Sequence, residues 1–174
     1  MDSIKNALFS FGKKPKNEEL VIPVEGYAED AERAKKRFYG FKLNDFRLLL
    51  DVDVRSEVIN NAVIAPIPLM PSYIKGLCNV RGNLVPVFDL YEKFGISKPA
   101  SDIENKNILV LDDNQNMAAI EIYEMITTLQ FDEQDMQENA SIDNELLSHL
   151  VTYSYKENGN EWFGFDHKKM FEVA

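Results

Sequence analysis

The chain has 174 residues, a mass of 20.0 kDa and a formal net charge of −10 at pH 7. A chain of this length forms one domain, or one domain of two lobes, and needs neither disulfides nor a metal to fold. Its negative charge repels phosphate backbones, and no apolar run reaches the about 20 residues of a membrane span, so nucleic acid binding and direct membrane insertion are not expected. No signal peptide is recognised, and the chain has one cysteine, Cys78, which is predicted to be a buried small hydrophobe. Both features predict a cytoplasmic protein.

The negative charge is concentrated in one part of the chain. Between Ser101 and Ser148 there are twelve acidic residues and one basic residue, Lys106, whereas the rest is nearly neutral. Such a segment either steers the protein toward a basic partner or forms a solvated face that aids solubility. The sequence leaves both interpretations open.

The first 39 residues are predicted to contain a tail and one helix. Residues 1–26 read as a loosely ordered tail. A helix is predicted over 27–39, at the start of a domain that spans 27–174, because apolar residues recur at helical spacing and Gly40 can end it. These apolar residues are Tyr27, Ala31, Ala34 and Phe38.

From Phe41 onward the pattern changes to short strands with alternating apolar residues. The predicted strands are Phe46–Val54, Ser56–Val63, Gly76–Val80, Leu84–Phe88, Ile108–Leu111, Met117–Ile122, Met125–Phe131, Leu150–Tyr155 and Glu161–Phe165. Asp51 and Asp53 would share one strand face, but no third ligand has suitable spacing, so no metal site is predicted there. Ile142–Leu147 is a short apolar segment, and a last helical turn runs through Phe171.

The stretch from Pro66 to Gly95 has the most distinctive pattern. Its first part contains three prolines and therefore cannot be a helix interior or a central strand. The strands that follow flank a tight reversal at Arg81-Gly82-Asn83, where Gly82 supplies the positive φ of a hairpin. Asp89 can cap a short helix, Leu90–Phe94, which Gly95 ends.

The C-terminal part repeats this pattern at a constant offset of 77 residues. Gly82-Asn83 recurs as Gly159-Asn160, Phe88-Asp89 as Phe165-Asp166, and Phe94 as Phe171. Each copy predicts a glycine hairpin, a returning strand, an aspartate cap and a short helix. The sequence therefore predicts two similar β lobes.

No motif of nucleotide-binding, metalloprotease or serine hydrolase chemistry occurs in the chain. His149 and His167 lack the cysteine or carboxylate spacing of a zinc site, and Cys78 has no obvious partner base. We therefore predict no catalytic residue, no cofactor and no metal, and an interaction module rather than an enzyme.

The central stretch resembles the core signature of CheW-like domains, P-x-x-Y-I-x-G-x-x-N-[LV]-R-G-x-x-x-P-V-x-D-L-x-x-x-F-G. The matching residues are Pro71, Tyr73, Ile74, Gly76, Asn79, Arg81, Gly82, Pro86, Val87, Asp89, Leu90, Phe94 and Gly95. The resemblance covers roughly Tyr39 to the C-terminus. It implies a mainly β fold of two five-stranded SH3-like barrels side by side, with an N-terminal helix and short capping helices.

The family implies a function as a non-catalytic scaffold. CheW-like adaptors couple the cytoplasmic tip of a chemoreceptor, a methyl-accepting protein, to the regulatory domain of a CheA-type histidine kinase, and are recruited to membrane-bound receptor arrays. The positions expected to contact partners are Arg55, Glu57, Val58, Tyr73, Gly76, Arg81 and Gly82. The positions expected to support the fold are Pro71, Asn79, Pro86, Asp89, Gly95, Gly159 and Asp166.

Glu57 is expected to pair with Arg81. This ion pair either orients a partner or only fixes the hairpin, and the sequence does not decide between the two roles.

Several residues depart from the usual family pattern. Arg55 stands where an apolar residue is usual, Tyr91 where arginine is frequent, and Glu121-Ile122-Tyr123-Glu124 replaces a Val-Asp pair. Together with the N-terminal helix, Tyr39-Gly40-Phe41 and Leu48-Leu49-Leu50, these departures resemble the PilI subgroup. That subgroup serves the system that controls type IV pili and twitching motility. The alternatives are a general flagellar chemotaxis adaptor, or a freestanding ligand-sensing module that uses the groove between the lobes.

Overall fold

The computed structural model describes residues 34–99 and 107–172, all of which lie in one compact unit that runs from Arg33 to Ala174. The described strands are β1 (Lys35–Leu43), β2 (Phe46–Asp51), β3 (Arg55–Ile59), β4 (Ile64–Ala65), β5 (Ile74–Val80), β6 (Asn83–Phe88), β7 (Asn107–Asp112), β8 (Met117–Ile122), β9 (Thr127–Asp132), β10 (Gln137–Glu138), β11 (Val151–Glu157) and β12 (Asn160–Phe165). The described helices are α1 (Leu90–Phe94), α2 (Glu145–Ser148) and α3 (His167–Glu172), with a 3-10 turn at Glu133–Asp135.

The strands form two sheets, each the basis of one lobe. Lobe 1 has the strand order β10-β11-β12-β2-β1-β9, and lobe 2 the order β3-β7-β8-β6-β5-β4. In each described sheet one strand, β10 or β4, has only two residues, so five longer strands remain per lobe. The prediction of a mainly β, two-lobed fold with short helices is therefore confirmed.

Three clusters of apolar side chains form the cores of the two lobes and the contact between them. Lobe 1 encloses an aromatic cluster of Phe38, Leu49, Phe131, Tyr155 and Trp162. Lobe 2 encloses smaller side chains, among them Cys78, Val80, Val85, Val87, Ile108 and Val110. The largest cluster draws on both sheets and joins the lobes, with Phe41, Leu48 and Leu50 from one and Phe88, Leu109 and Ile120 from the other. The prediction that Cys78 is a buried hydrophobe is confirmed.

The prediction of a helix over 27–39 is wrong for its described end, because Lys35–Leu43 is strand β1. Phe38 faces the aromatic cluster of lobe 1 and Phe41 faces the cluster between the lobes, so tertiary burial on both sides overrides the helical spacing. Gly40 does not end a helix. A Cβ there would lie 2.6 Å from Leu129 Cδ1 and 2.9 Å from Trp162 Cζ3. The predicted tail and the residues of the predicted helix up to 33 lie outside the described residues.

The predicted strand Phe46–Val54 ends three residues early, at Asp51. The backbone N–H of Val54 donates to the Asp51 carbonyl oxygen at 3.0 Å, and that of Asp53 donates to Asp51 Oδ1 at 3.1 Å. This turn carries the chain from lobe 1 into lobe 2. Asp51 and Asp53 therefore do not share a strand face, contrary to expectation.

The predicted internal repeat is present in the backbone itself. The β5–β6 and β11–β12 hairpins turn at Arg81-Gly82 and Asn158-Gly159, and all four residues have positive φ, as in type I′ turns. After each hairpin, a backbone N–H of the capping aspartate donates to a carbonyl oxygen at 2.8 Å. These pairs are Asp89 with Tyr73 and Asp166 with Leu150, again related by the offset of 77 residues.

No helix within residues 34–99 and 107–172 has the length and apolar character needed to cross a membrane.

Candidate partner-binding surface

Four charged side chains ring one end of lobe 2, which we call the barrel mouth: Arg55, Glu57, Arg81 and Asp112. They surround a depression of about 310 Å³ that Ser56, Asn83, Val110 and Met117 complete. Antiparallel pairing of β3 with β7 sets Arg55 opposite Asp112 and Glu57 opposite Val110. Because side chains alternate along a strand, Arg55 and Glu57 point to the same side.

The barrel mouth contains two ion pairs. Arg81 Nη2 lies 2.5 Å from Glu57 Oε2, and Arg55 Nη1 lies 3.2 Å from Asp112 Oδ2. The prediction that Glu57 pairs with Arg81 is confirmed. The Arg55–Asp112 pair was not predicted, because it depends on the pairing of β3 with β7, which are 57 residues apart at this contact.

The arginines and carboxylates of the barrel mouth differ in exposure. The side chains of Arg81 and Arg55 are 78% and 70% exposed, whereas those of Glu57 and Asp112 are 30% and 19% exposed. Exposed ion pairs contribute only about 0–1 kcal/mol to stability. The barrel mouth therefore presents positive charge to the solvent, and its ion pairs do little to hold the fold.

The β5–β6 hairpin is held in place by its own backbone. Arg81 adopts φ 53° and Gly82 φ 89°, and the Gly82 N–H donates to Asn79 Oδ1 at 2.9 Å. The expectation that Asn79 supports the hairpin is confirmed. The turn conformation and Asn79 hold the hairpin backbone, and Glu57 contacts the guanidinium group of Arg81.

The other predicted contact residues differ in accessibility. Val58 is an exposed apolar residue, and a Cβ added at Gly82 would meet no atom within 4 Å. Tyr73 is half-buried, with Lys93 Nζ 4.5 Å from the centre of its ring. Gly76 is buried at φ 142°, and a Cβ there would lie 2.1 Å from the carbonyl oxygen of Ala65. The glycine therefore permits the close approach of β4 to β5, and its expected contact with a partner stays a prediction.

Three exposed apolar residues, one on β6 and two in the loop before β5, were not predicted. Leu84 on β6 faces outward opposite Asn79, and the preceding loop exposes Leu69 and Met70. The signal for Leu84 was available, since it lies out of phase with the inward-facing Val85 and Val87 on the same strand. The loop residues carried no such periodic signal.

The predicted supporting residues are found at turns and caps. Pro71 accepts a hydrogen bond from the Ile74 N–H at 2.9 Å, and Pro86 lies opposite Leu77 in the hairpin. Gly95 ends α1 in the left-handed conformation. Gly159 supplies the positive φ of the second hairpin, and Asp166 Oδ1 accepts from the Lys168 and Lys169 N–H groups.

Asp89 is the centre of a buried charge cluster beside α1. Its side chain is fully buried, accepts the Glu92 N–H at 3.1 Å, and has Lys75 Nζ at 3.0 Å and Lys98 Nζ at 2.5 Å from Oδ2. Burial acts to raise the pKa of Asp89, but hydrogen bonds from Lys98, the Glu92 backbone and Lys75 outweigh it and lower the pKa. Burial, and then the charge of Asp89, raises the pKa of nearby Glu121.

A second depression, of about 420 Å³, lies where the two sheets meet. Four aspartates contribute to its lining together with Val54, Arg55, Asn114, His167 and Lys168. They are Asp51, Asp53, Asp112 and Asp113. Across the described ranges, no cluster of three or more His, Cys, Asp and Glu side chains could hold a metal ion.

Comparison with known proteins shows which family the chain resembles. The model of the CheW-like domain matches residues 37–173. The chain is 35% identical over 57 residues to the chemotaxis protein CheW of Thermotoga maritima, covering 33% of this chain and 38% of that protein. It is 34% identical over 58 residues to Protein FrzA of Myxococcus xanthus, covering 33% and 36%. It is 28% identical over 87 residues to the chemotaxis protein CheW of Helicobacter pylori, covering 50% and 52%.

The alignments with these curated relatives span between about a third and a half of the relatives' length. Among solved structures, the fold is similar to that of the scaffolding protein TtCheW from Thermoanaerobacter tengcongensis, with a TM-score of 0.64 at 24% identity. That similarity covers 76% of this chain and 89% of TtCheW. Because the family model matches well over half of its residues, the chain belongs to the CheW-like domain family.

Proposed function

We propose that this protein is a non-catalytic adaptor that couples the cytoplasmic tip of a chemoreceptor to the regulatory domain of a CheA-type histidine kinase. The observation that carries the proposal is the exposed, rigid β5–β6 hairpin that presents Arg81 within the CheW-like domain. The names of the relatives, chemotaxis protein CheW and scaffolding protein TtCheW, support the same assignment.

The surface around the hairpin has the composition of a protein–protein contact. Arg81 is part of the barrel mouth, and β3 and β6, which also contribute residues to it, carry the exposed apolar residues Val58 and Leu84. Arginine is among the residues enriched at interface hot spots, and a pre-formed support reduces the conformational entropy lost on binding. Ordered strands thus offer the partner a pre-formed surface.

Titration calorimetry against the kinase's CheW-like regulatory domain and against the receptor tip from the same cell tests the proposal. Saturable binding to both is expected, together with loss of binding in Arg81→Glu while the circular dichroism spectrum stays that of the folded protein. Arg37→Glu, on an exposed part of β1 in lobe 1, is the matched control and should bind normally. Absence of binding to either partner at high micromolar concentration would contradict the adaptor function.

We further propose that the adaptor serves the system controlling type IV pili and twitching motility, in the manner of the PilI subgroup. Support comes from Arg55 at the barrel mouth and from Tyr91, which is fully buried and donates to the Lys42 carbonyl oxygen at 3.3 Å. Burial raises the pKa of Tyr91 to about 12, so the hydroxyl remains a donor. Deletion of the gene should abolish twitching zones and leave swimming intact. The reverse result would assign the protein to flagellar chemotaxis.

A ligand-sensing role is the second candidate, and the depression of about 420 Å³ between the sheets is the observation that favours it. Here a small molecule would occupy the polar depression instead of a partner docking at the barrel mouth. This role requires a compound that co-purifies with the protein or raises its melting temperature.

In the adaptor role the protein resides in the cytoplasm and is recruited to membrane-bound receptor arrays, which fluorescence microscopy of a tagged chain can test.

A further inference from the structure

We propose that Arg55 and Arg81 act together as a clamp for a carboxylate side chain on the kinase's regulatory domain, which enters the barrel mouth. This inference rests on the proposed adaptor function and specifies the chemistry of its partner. It begins from the unequal exposure of the four charged groups. The two guanidinium groups stand out into solvent, and their carboxylate partners are withdrawn.

Each guanidinium is oriented but not saturated. Glu57 holds Arg81 and Asp112 holds Arg55, with one hydrogen bond each among the described residues. A guanidinium carries five N–H donors in a planar fork, so most donors of each arginine are still available. The planar fork matches the two oxygens of a carboxylate, and prior orientation by an acidic neighbour reduces the entropy lost on binding.

The floor of the barrel mouth suits the stem of an acidic side chain. Val110 is buried in the lobe 2 cluster, and Met117 packs against that cluster. Both line the same depression as the two arginines. Methylene groups of an entering glutamate can pack on this apolar floor while its carboxylate meets the guanidinium groups. Covering the depression excludes water, which strengthens these hydrogen bonds.

The charge of the whole chain makes this contact selective. The protein carries a net charge of −10, so an acidic partner surface is repelled over most of its area. At the barrel mouth the most exposed charged groups are the guanidinium groups of Arg55 and Arg81, although Arg55 also borders the four aspartates of the second depression. A partner carboxylate is therefore favoured at this place, and misplaced docking is penalised, as complementary charge fixes the register of an interface. Arg55, which departs from the apolar residue usual at this position, supplies half of the clamp.

Calorimetry with the kinase domain tests the clamp. Arg55→Gln and Arg81→Gln should each weaken binding about tenfold or more and should each reduce its salt dependence, since each removes charge-assisted hydrogen bonds. Arg37→Gln in lobe 1 removes the same charge and should leave affinity unchanged. The double Lys variant at Arg55 and Arg81 keeps the charge but lacks the fork, and should bind nearly as weakly as the Gln variants. All variants should keep the wild-type melting temperature.

A second measurement needs no protein partner. In nuclear magnetic resonance spectra of the arginine Nε–H groups, titration with glutarate should shift Arg55 and Arg81 together with one apparent Kd. Arg37 should not move, and uncharged glutaramide should shift neither arginine of the barrel mouth.

The two measurements separate the clamp from the adaptor function. Normal kinase binding by the Arg55→Gln and Arg81→Gln variants, or the absence of a glutarate response, would overturn the clamp and leave the adaptor role standing. A glutarate response in a protein that binds neither the kinase domain nor the receptor tip would support carboxylate recognition and overturn the adaptor role.

Discussion

Replacing Asp89 by alanine removes a buried carboxylate that three groups share. The Glu92 N–H loses its cap, at a cost of about 1 kcal/mol. Lys75 and Lys98 lose their partner, and breaking a fully buried ion pair costs about 3–5 kcal/mol. The side chains of these lysines are 29% and 39% exposed, so water solvates their ammonium groups once the carboxylate is removed. This solvation reduces the cost of losing the ion pairs to about 2 kcal/mol.

The total for Asp89→Ala is therefore about 3 kcal/mol of unfolding free energy, which corresponds to a melting temperature lower by about 6–12 °C for a domain of this size. Asp89→Asn separates the two contributions, because asparagine caps a helix about as well as aspartate but carries no charge. It should cost about 2 kcal/mol. Urea unfolding followed by circular dichroism measures both values. Equal stability of the Asn variant and the wild type would refute the assigned role of the lysine contacts.

The pH dependence provides an independent check on Asp89. Its pKa is lowered in the folded state, so its stabilisation is present above the pKa of the unfolded chain and is lost as the pH falls through the folded pKa. The stability difference between wild type and Asp89→Asn should therefore shrink in acid. A difference that stays constant down to strongly acidic pH would contradict this cause.

Three further substitutions test other parts of the structure. Gly76→Ala should cost at least about 3 kcal/mol in urea unfolding, because the new Cβ meets the Ala65 carbonyl oxygen at positive φ. Gly164→Ala should cost about 1–3 kcal/mol, since its Cβ would lie 2.3 Å from Tyr153 Cζ and displace the ring. Burial raises the pKa of Glu121, so its favourable contribution is present below the unfolded pKa and is lost as the pH rises through the folded pKa. Glu121→Gln should therefore raise the melting temperature near pH 8 more than near pH 4.

Each of these predictions has a control. Gly82→Ala also has positive φ but open space around the new Cβ, so it should cost only about 1 kcal/mol. If Gly76→Ala costs no more than Gly82→Ala, the close approach of β4 is not the reason for the glycine. Gly164→Ala should regain stability when Tyr153 is shortened to leucine. An equal effect of Glu121→Gln at both pH values would exclude titration of Glu121 as the cause.

The parts of the fold that sequence reasoning predicted are those set by short-range chemistry. The Asp89 cap, the Gly95 stop and the hairpin at Gly82 each depend on residues within about four positions, and the structure has all three. The repeat at an offset of 77 residues extended these predictions to the C-terminal part, because the roles of Gly159 and Asp166 could be assigned from Gly82 and Asp89.

The parts that were missed depend on long-range packing. Lys35–Leu43 was predicted in part as helix because its spacing fits one, but pairing with β2 and β9 buries both of its faces. At the candidate site, the Glu57–Arg81 pair followed from the family resemblance. The Arg55–Asp112 pair did not, since neither the resemblance nor the local pattern indicates which strand lies beside β3. The sequence analysis noted Asp51 and Asp53 but, for the same reason, did not predict that Asp112 and Asp113 line the same depression.

The order of the strands along the chain affects how the protein can fold. All of lobe 2 comes from one continuous segment, β3 to β8, whereas lobe 1 combines β1 and β2 with strands that begin at β9. Lobe 2 can therefore close through nearby contacts, while the β1–β9 and β2–β12 pairings must wait for strands about 80–120 residues away. On the ribosome β1 and β2 can pair with each other, but they lack their other partners until β9 and β12 have emerged. During that interval the apolar side chains of β1 and β2 are exposed to solvent and can aggregate. Slow synthesis of lobe 2 therefore increases the risk of aggregation through lobe 1.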